Sequence, residues 1–187
     1  MKIKALKICY KDRFFKLDVF LGNMLEFFFL KNTNNDEIDS KINDYCNYVD
    51  NPYVLKSNLP SISKRKIDNP DRSFPRILAW IYIKLCNSSF LFVRILSFLY
   101  FPIFNNTEEA LCYFRSVFPE QQSNLCMPRT LFAATTSKSF SKNGVIFIGV
   151  FLPSRSMHAW IIENKKQPDI ADDIWICYQP LAMLYRQ

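Results

Sequence analysis

Asn124-Leu125-Cys126-Met127-Pro128-Arg129-Thr130-Leu131 opens the last third of the chain, and two apolar runs follow it, 144 to 152 (GVIFIGVFL) and 157 to 163 (MHAWIIE). Pro128 lacks an N–H and suits the first turn of a helix, so the spacing predicts a helix opening over 124 to 135 with the Cys126 sulfur near free backbone N–H groups. The first apolar run reads as a buried strand and the second as its neighbour, with Lys165-Lys166 turning the chain out of it. The expected order is therefore a helix with a cysteine at its positive end, then paired strands, the second carrying a polar His158 between apolar residues. A nucleophile at a helix start followed by paired strands is the papain arrangement.

His158 is the only histidine of the chain. A helix N-terminus favours a thiolate over a thiol, and a neighbouring imidazolium favours it further, so Cys126 and His158 together are the residue types of nucleophilic catalysis. The ordinary alternatives are a satisfied core histidine and one more buried free cysteine. An acid that holds the imidazole in one tautomer would come from Glu163, Asp169, Asp172 or Asp173. If residues 164 to 167 make the reversal, Asp172 returns beside Ala159, one step from His158; a two-residue turn would put Asp169 opposite Trp160 instead. Asp172 ranks first on this register and Asp169 second. The Cys126 N–H is the natural oxyanion donor, with Gln121 or Gln122 a second.

Composition removes several other classes. Three glycines, Gly22, Gly144 and Gly149, are too few and too dispersed for a Gly-rich phosphate loop. Six cysteines are spread through the chain without a C-x-x-C pair or clustered histidines, so no metal site is expected. The net charge of +7 is scattered, with Lys64-Arg65-Lys66 the one basic run, which suits an acidic peptide partner and gives no reason to expect a nucleic acid. No apolar core follows the lysines of 1 to 7, so no secretory signal is expected and a cytoplasmic location with reduced thiols is the default. The most apolar stretch, 77 to 104, is interrupted by Lys84, Asn87, Ser88, Ser89 and Arg94; it predicts one or two amphipathic helices, buried or docked on a partner, and no membrane span.

The N-terminal part has a different pattern. Residues 3 to 8, 14 to 21 and 24 to 30 read as three short antiparallel strands, with turns at Lys11-Asp12-Arg13 and Gly22-Asn23. Ile38, Ile42, Tyr45, Cys46 and Val49 recur at spacings of three and four, which predicts an amphipathic helix over 36 to 49 that Asn51-Pro52 closes. From 56 to 74 the chain is polar, with Pro60 and Pro70, and reads as a linker. Beyond the apolar helices, Asn106 or Thr107 should cap a helix beginning at Glu108-Glu109. The expected division is 1–58, a linker over 59–74, and 75–187.

Cys126-Met127-Pro128-Arg129-Thr130-Leu131, the strand ending Ile146-Phe147-Ile148-Gly149-Val150, and His158-Ala159-Trp160-Ile161 with a following Asp resemble the B protein of lasso-peptide biosynthesis, a transglutaminase-like cysteine peptidase. The resemblance covers roughly residues 105 to 187 and departs from the family pattern in the spacing of the last Asp. It implies an α+β fold, a winged-helix-like leader-recognition element over 1–58 ahead of a papain/transglutaminase-like cysteine peptidase domain, with Cys126 as nucleophile, His158 as general base and Asp172 as orienting acid. It further implies that the chain removes the leader of a ribosomally made precursor peptide, and that a partner lactam synthetase, which would carry any ATP, then closes the core peptide; no cofactor is implied for this chain. A strand edge such as 24 to 30 would take up an extended leader by strand addition, although Phe27, Phe28 and Phe29 also read as core residues. Two other functions fit the same residues: a non-catalytic leader-binding scaffold, and a transglutaminase-type acyltransferase.

Overall fold

The computed structural model describes residues 1–5, 7–10, 13–17, 24–28, 73–119, 125–140, 144–151, 156–169 and 178–186. The expected helix over 36 to 49 and nearly all of the expected linker lie outside these residues. Near the N-terminus are the strands β1 (Lys2–Ala5), β2 (Lys7–Tyr10), β3 (Arg13–Leu17) and β4 (Met24–Phe28). The helices α1 (Ser73–Ser88), α2 (Phe90–Phe98), α3 (Thr107–Val117) and α4 (Cys126–Thr136) follow. The strands β5 (Gly144–Phe151), β6 (Ser156–Glu163) and β7 (Gln179–Tyr185) complete the described elements.

Two sheets form. β2, β3 and β4 make a three-stranded antiparallel meander, while β1, β7, β5 and β6 make a four-stranded sheet in that order. The sequence expectation of a single strand over 3 to 8 in the N-terminal sheet is therefore divided. Lys2–Ala5 pairs antiparallel with β7, Lys2 opposite Tyr185 and Ala5 opposite Ala182, and only Lys7–Tyr10 enters the meander. Alternation marks a strand but not its partner, and the period of two reads the same in either sheet. Leu17 at the end of β3 is fully buried in the core shared with the helices and β7.

α4 is the centre of the molecule. All its residues from Pro128 to Thr136 are buried, and it packs on α1, α2, α3, β5 and β6. A helix enclosed on every side has to satisfy its own polar groups, and the threonines of this one do so. Thr130 donates to the Cys126 carbonyl at 2.9 Å, Thr135 to that of Leu131 at 2.9 Å and Thr136 to that of Phe132 at 2.7 Å. Phe132 is ringed by Tyr82, Phe104, Tyr113 and Phe114 at centroid distances of 5.4 to 6.4 Å, and the Tyr82 hydroxyl meets Thr135 Oγ1 at 2.6 Å.

Two expected helix boundaries have clear local causes. Ser88 donates to the Leu85 carbonyl, and the Ser89 side chain accepts from the Leu91 N–H, so the serines end α1 and cap α2 within one residue. Asn106, one of the two expected caps, accepts from Glu109 N–H at 2.8 Å, while Thr107 turns inward toward Ser137. No helix among the described residues is long and apolar enough to cross a membrane.

β5 is the middle of the larger sheet and is buried along its length except at Phe151, as a continuous apolar run requires. Its Ile146, Ile148 and Val150 join the helical core, and Val145 and Phe147 join Trp160, Ile162 and Met183 in a second cluster. Against β7 the register shifts between Ile148, opposite Ala182, and Gly149, opposite Pro180, leaving Leu181 as the extra residue of a bulge. Gly149 is also the partner of His158 on β6. A Cβ there would meet the Trp160 ring at 2.5 Å and the Gln179 carbonyl at 2.6 Å. Gly149→Ala should therefore lower unfolding free energy by about 1 to 3 kcal/mol, read as a fall in denaturant midpoint at unchanged m. A midpoint equal to that of the unaltered chain would mean that this strand crossing is looser than the packing indicates.

Candidate functional site

Cys126 is the first residue of α4, as the sequence predicts. The residue before it, Leu125, has φ −110° and ψ 6° and supplies no side-chain cap, so the dipole and the first-turn N–H groups of the helix face the sulfur without a competing side-chain oxygen. Among the described residues β6 is the outer strand of its sheet and pairs with β5. α4 packs against β6, and there the Ala159 N–H donates to Cys126 Sγ while the His158 side chain shares a hydrogen bond with the same sulfur. The geometry thus brings together the two residues singled out in the sequence and adds a backbone donor, the Ala159 N–H.

The electrostatics of Cys126 result from a contest. Burial acts most strongly and pushes the thiol up. Against it act the His158 hydrogen bond, the His158 charge, the Ala159 N–H and the charge of Arg129, and together they hold the thiol below its ordinary value. Cys86, across the same cleft, has only the burial and is pushed up to about 12. Two cysteines that line one cleft are thus set in opposite senses, one toward thiolate and one toward inert thiol.

His158 is almost fully buried, 7% exposed. Its ring lies nearly parallel to Trp160, at 13° and 6.2 Å between centroids, and against Tyr178 at 5.0 Å. These aromatic walls restrict ring rotation, which leaves the imidazole directed by its hydrogen bonds.

The acids divide differently. Asn164 and Lys165 have φ of 50° and 63°, and Glu163 and Lys166 exchange both backbone hydrogen bonds, at 2.8 and 3.0 Å. The reversal is thus a two-residue turn with left-handed central residues and not the longer one over 164 to 167. Asp169 nevertheless does not continue a ladder with β6. Its carboxylate is buried between two guanidinium groups: Arg115 donates to Oδ1 at 2.7 Å and to Oδ2 at 2.9 Å, and Arg129 Nε stands 3.1 Å from Oδ2. Asp172, Asp173, Gln121 and Gln122 lie outside the described residues.

The Arg115–Asp169–Arg129 cluster was not foreseen as part of the site, although Arg129 is the one charged residue of α4 and a lone charge in an otherwise uncharged buried helix is itself a signal. Tyr178 and Cys86 gave no comparable sign, because neither occupies a position in a motif.

A cleft of about 290 Å³ opens in front of the sulfur. One wall is the α1–α2 junction with Asn87, Ser88 and Phe90, and the other holds Met127, Met157 and His158. It is mainly apolar, and its polar groups are concentrated at the junction and at the Cys126–His158 pair.

Compared with known proteins, the chain matches no family model, no curated protein and no solved structure.

Iodoacetamide should therefore label Cys126 at neutral pH much faster than Cys86, by at least about a hundredfold, and His158→Ala should remove most of the difference by returning Cys126 toward an ordinary thiol. Peptide-resolved mass spectrometry of the labelled chain measures both rates; equal labelling of the two cysteines would contradict the opposed settings.

Proposed function

We propose that the chain is a cysteine peptidase that removes the leader of a ribosomally made precursor peptide during lasso-peptide maturation. The observation that carries the reading is the Cys126 sulfur at the positive end of a buried helix, hydrogen-bonded by His158 and by the edge-strand N–H of Ala159. The family resemblance of 105 to 187 supplies the substrate class.

In this reading His158 takes the thiol proton and Cys126 attacks the scissile carbonyl, forming a C–S bond and a tetrahedral oxyanion at the start of α4. The imidazolium then gives its proton to the leaving amine as the C–N bond breaks. Water, deprotonated by the now neutral His158, hydrolyses the thioester and releases the leader's new carboxyl end. The open cleft admits an extended peptide between the α1–α2 junction and β6. Asp172 is the proposed orienting acid for His158, whereas Asp169, held by two arginines, serves the fold.

The meander is the proposed leader-recognition element, part of a winged-helix-like module over 1–58 ahead of a papain/transglutaminase-like domain. Among the described residues β4 pairs with β3 alone, so its other edge is suited to strand addition by an extended leader. The product, a core peptide with a free amino end, would pass to a partner lactam synthetase, and the proposed setting is the cytoplasm.

Incubation of the full chain with candidate precursor peptides, followed by product masses, tests the reading. Cys126→Ala and His158→Ala should each lower cleavage at least about a thousandfold with the fold intact. Cleavage surviving in either purified variant would end the assignment, and precursor bound but never cut would favour a scaffold. The two acids should separate by readout: Asp172→Asn lowers kcat at unchanged Tm, while Asp169→Asn leaves two buried guanidinium groups short of a counter-charge and lowers stability by about 3 kcal/mol. An Asp169→Asn variant that melts normally yet loses turnover would reverse the two roles.

A further inference from the structure

α1 and α2 both pack on α4, and Leu78, Ala79 and Tyr82 of the first and Val93 and Leu96 of the second are buried. Helices placed in this way should present polar residues to water on their other side. These two do not. Phe74, Ile77 and Trp80 recur every three residues along α1, and Leu91, Ile95 and Phe98 stand at i, i+4 and i+7 along α2; all six are exposed, Trp80 by 53% and Phe98 by 72%. Of the ten large hydrophobic residues exposed among the described residues, eight fall between Phe74 and Phe101, so the apolar surface is gathered on this helical pair and the segment after it instead of being scattered.

The charges of the same stretch have one sign. Arg76, Lys84 and Arg94 stand between Asp71 and Glu108, and no carboxylate occurs in that interval. Arg76 and Lys84 are exposed, and the Lys84 ammonium lies over the Trp80 ring at 5.5 Å, so a cation stands beside the outward aromatic. A second copy on a two-fold axis would set this basic face against itself with no acid to receive it. An anionic bilayer supplies both things the face lacks, negative headgroups for the cations and an acyl boundary for the aromatic and aliphatic side chains. The helices are too short to do more than lie in that boundary: α1, with 16 residues, is about 24 Å long against a hydrocarbon core of about 30 Å.

We propose that α1 and α2 form a docking face for an anionic phospholipid bilayer, in which Phe74, Ile77, Trp80, Leu91, Ile95 and Phe98 enter the headgroup boundary and Arg76 and Lys84 meet lipid phosphates. The face acts independently of the chemistry at Cys126. Because the α1–α2 junction also lines the Cys126 cleft, a chain docked in this way holds that cleft next to the membrane surface.

The test is cosedimentation of the full chain with vesicles of equal parts phosphatidylglycerol and phosphatidylcholine, and with vesicles of phosphatidylcholine alone, while circular dichroism follows the fold. The anionic vesicles should bind at least about tenfold more tightly than the neutral ones, and the difference should shrink as salt is raised. Ile77→Ser with Phe98→Ser, both at exposed positions, should lower binding at least about tenfold at unchanged Tm, and Arg76→Gln with Lys84→Gln should lower it by a similar factor on anionic vesicles only. Tryptophan emission should move to shorter wavelength on binding, and Trp80→Phe, which keeps the face apolar, should still sediment but lose most of that shift. A chain that stays in the supernatant, or that binds both kinds of vesicle alike, overturns the proposal. So does a shift undiminished in Trp80→Phe, which would put the lipid on another face. A chain that ignores both vesicles and runs as a dimer that Ile77→Ser with Phe98→Ser separates would assign the face to a second copy and overturn it too.

Discussion

The first turn of α4 lies against β6, and this contact is what the rest of the molecule supports. A helix start offers N–H groups without partners, and an outer strand offers every second N–H to whatever lies beside it. Where the two meet, Cys126 places its sulfur beside the His158 side chain and the Ala159 N–H. His158 comes from the same strand one residue before Ala159, so the arrangement of sulfur, imidazole and backbone donor is determined by the position of one helix against one strand.

Holding that helix still is the work of its surroundings. Its threonine hydroxyls bond to its own carbonyls, its Phe132 is enclosed by four aromatic rings, and its Arg129 is tied through Asp169 to α3 and to the segment leaving β6. On the strand side, Gly149 lets Trp160 lie close over β5, and Trp160 with Tyr178 flanks His158. The bulge at Leu181 falls beside the same glycine, a common place for an irregularity that directs a functional side chain. Displacement of either element by an ångström would separate sulfur from imidazole, which is why precise packing here has a chemical consequence.

Much of this could be read from the residues and some could not. The helix start at Cys126, the two strands and the pairing of a cysteine with the sole histidine were legible because Pro128, the apolar runs and the alternation around His158 are local signals. The partner of Lys2–Ala5 was not, because alternation is the same in any sheet. The turn after Glu163 was misjudged in length: Asn164 favours a left-handed conformation, but Lys165 does not announce one, and no glycine marked the tight turn. Asp169 could be placed near the right register but not assigned its partners, since Arg115 lies 54 positions away in the chain and only the packing of α3 on α4 brings them together. Cys86 illustrates the same limit, for its thiol is defined by burial and by a cleft that no motif describes.

The central claim is that His158 and the start of α4 hold the Cys126 thiol below its ordinary value in the resting protein. The most direct measurement is the ultraviolet absorbance of the thiolate in the full chain minus that of Cys126→Ser, followed across pH. The account predicts that this thiolate emerges at lower pH than an ordinary cysteine's, and that replacing His158 by Ala moves its emergence up. A difference that emerges only above about pH 8, with or without His158, would contradict it.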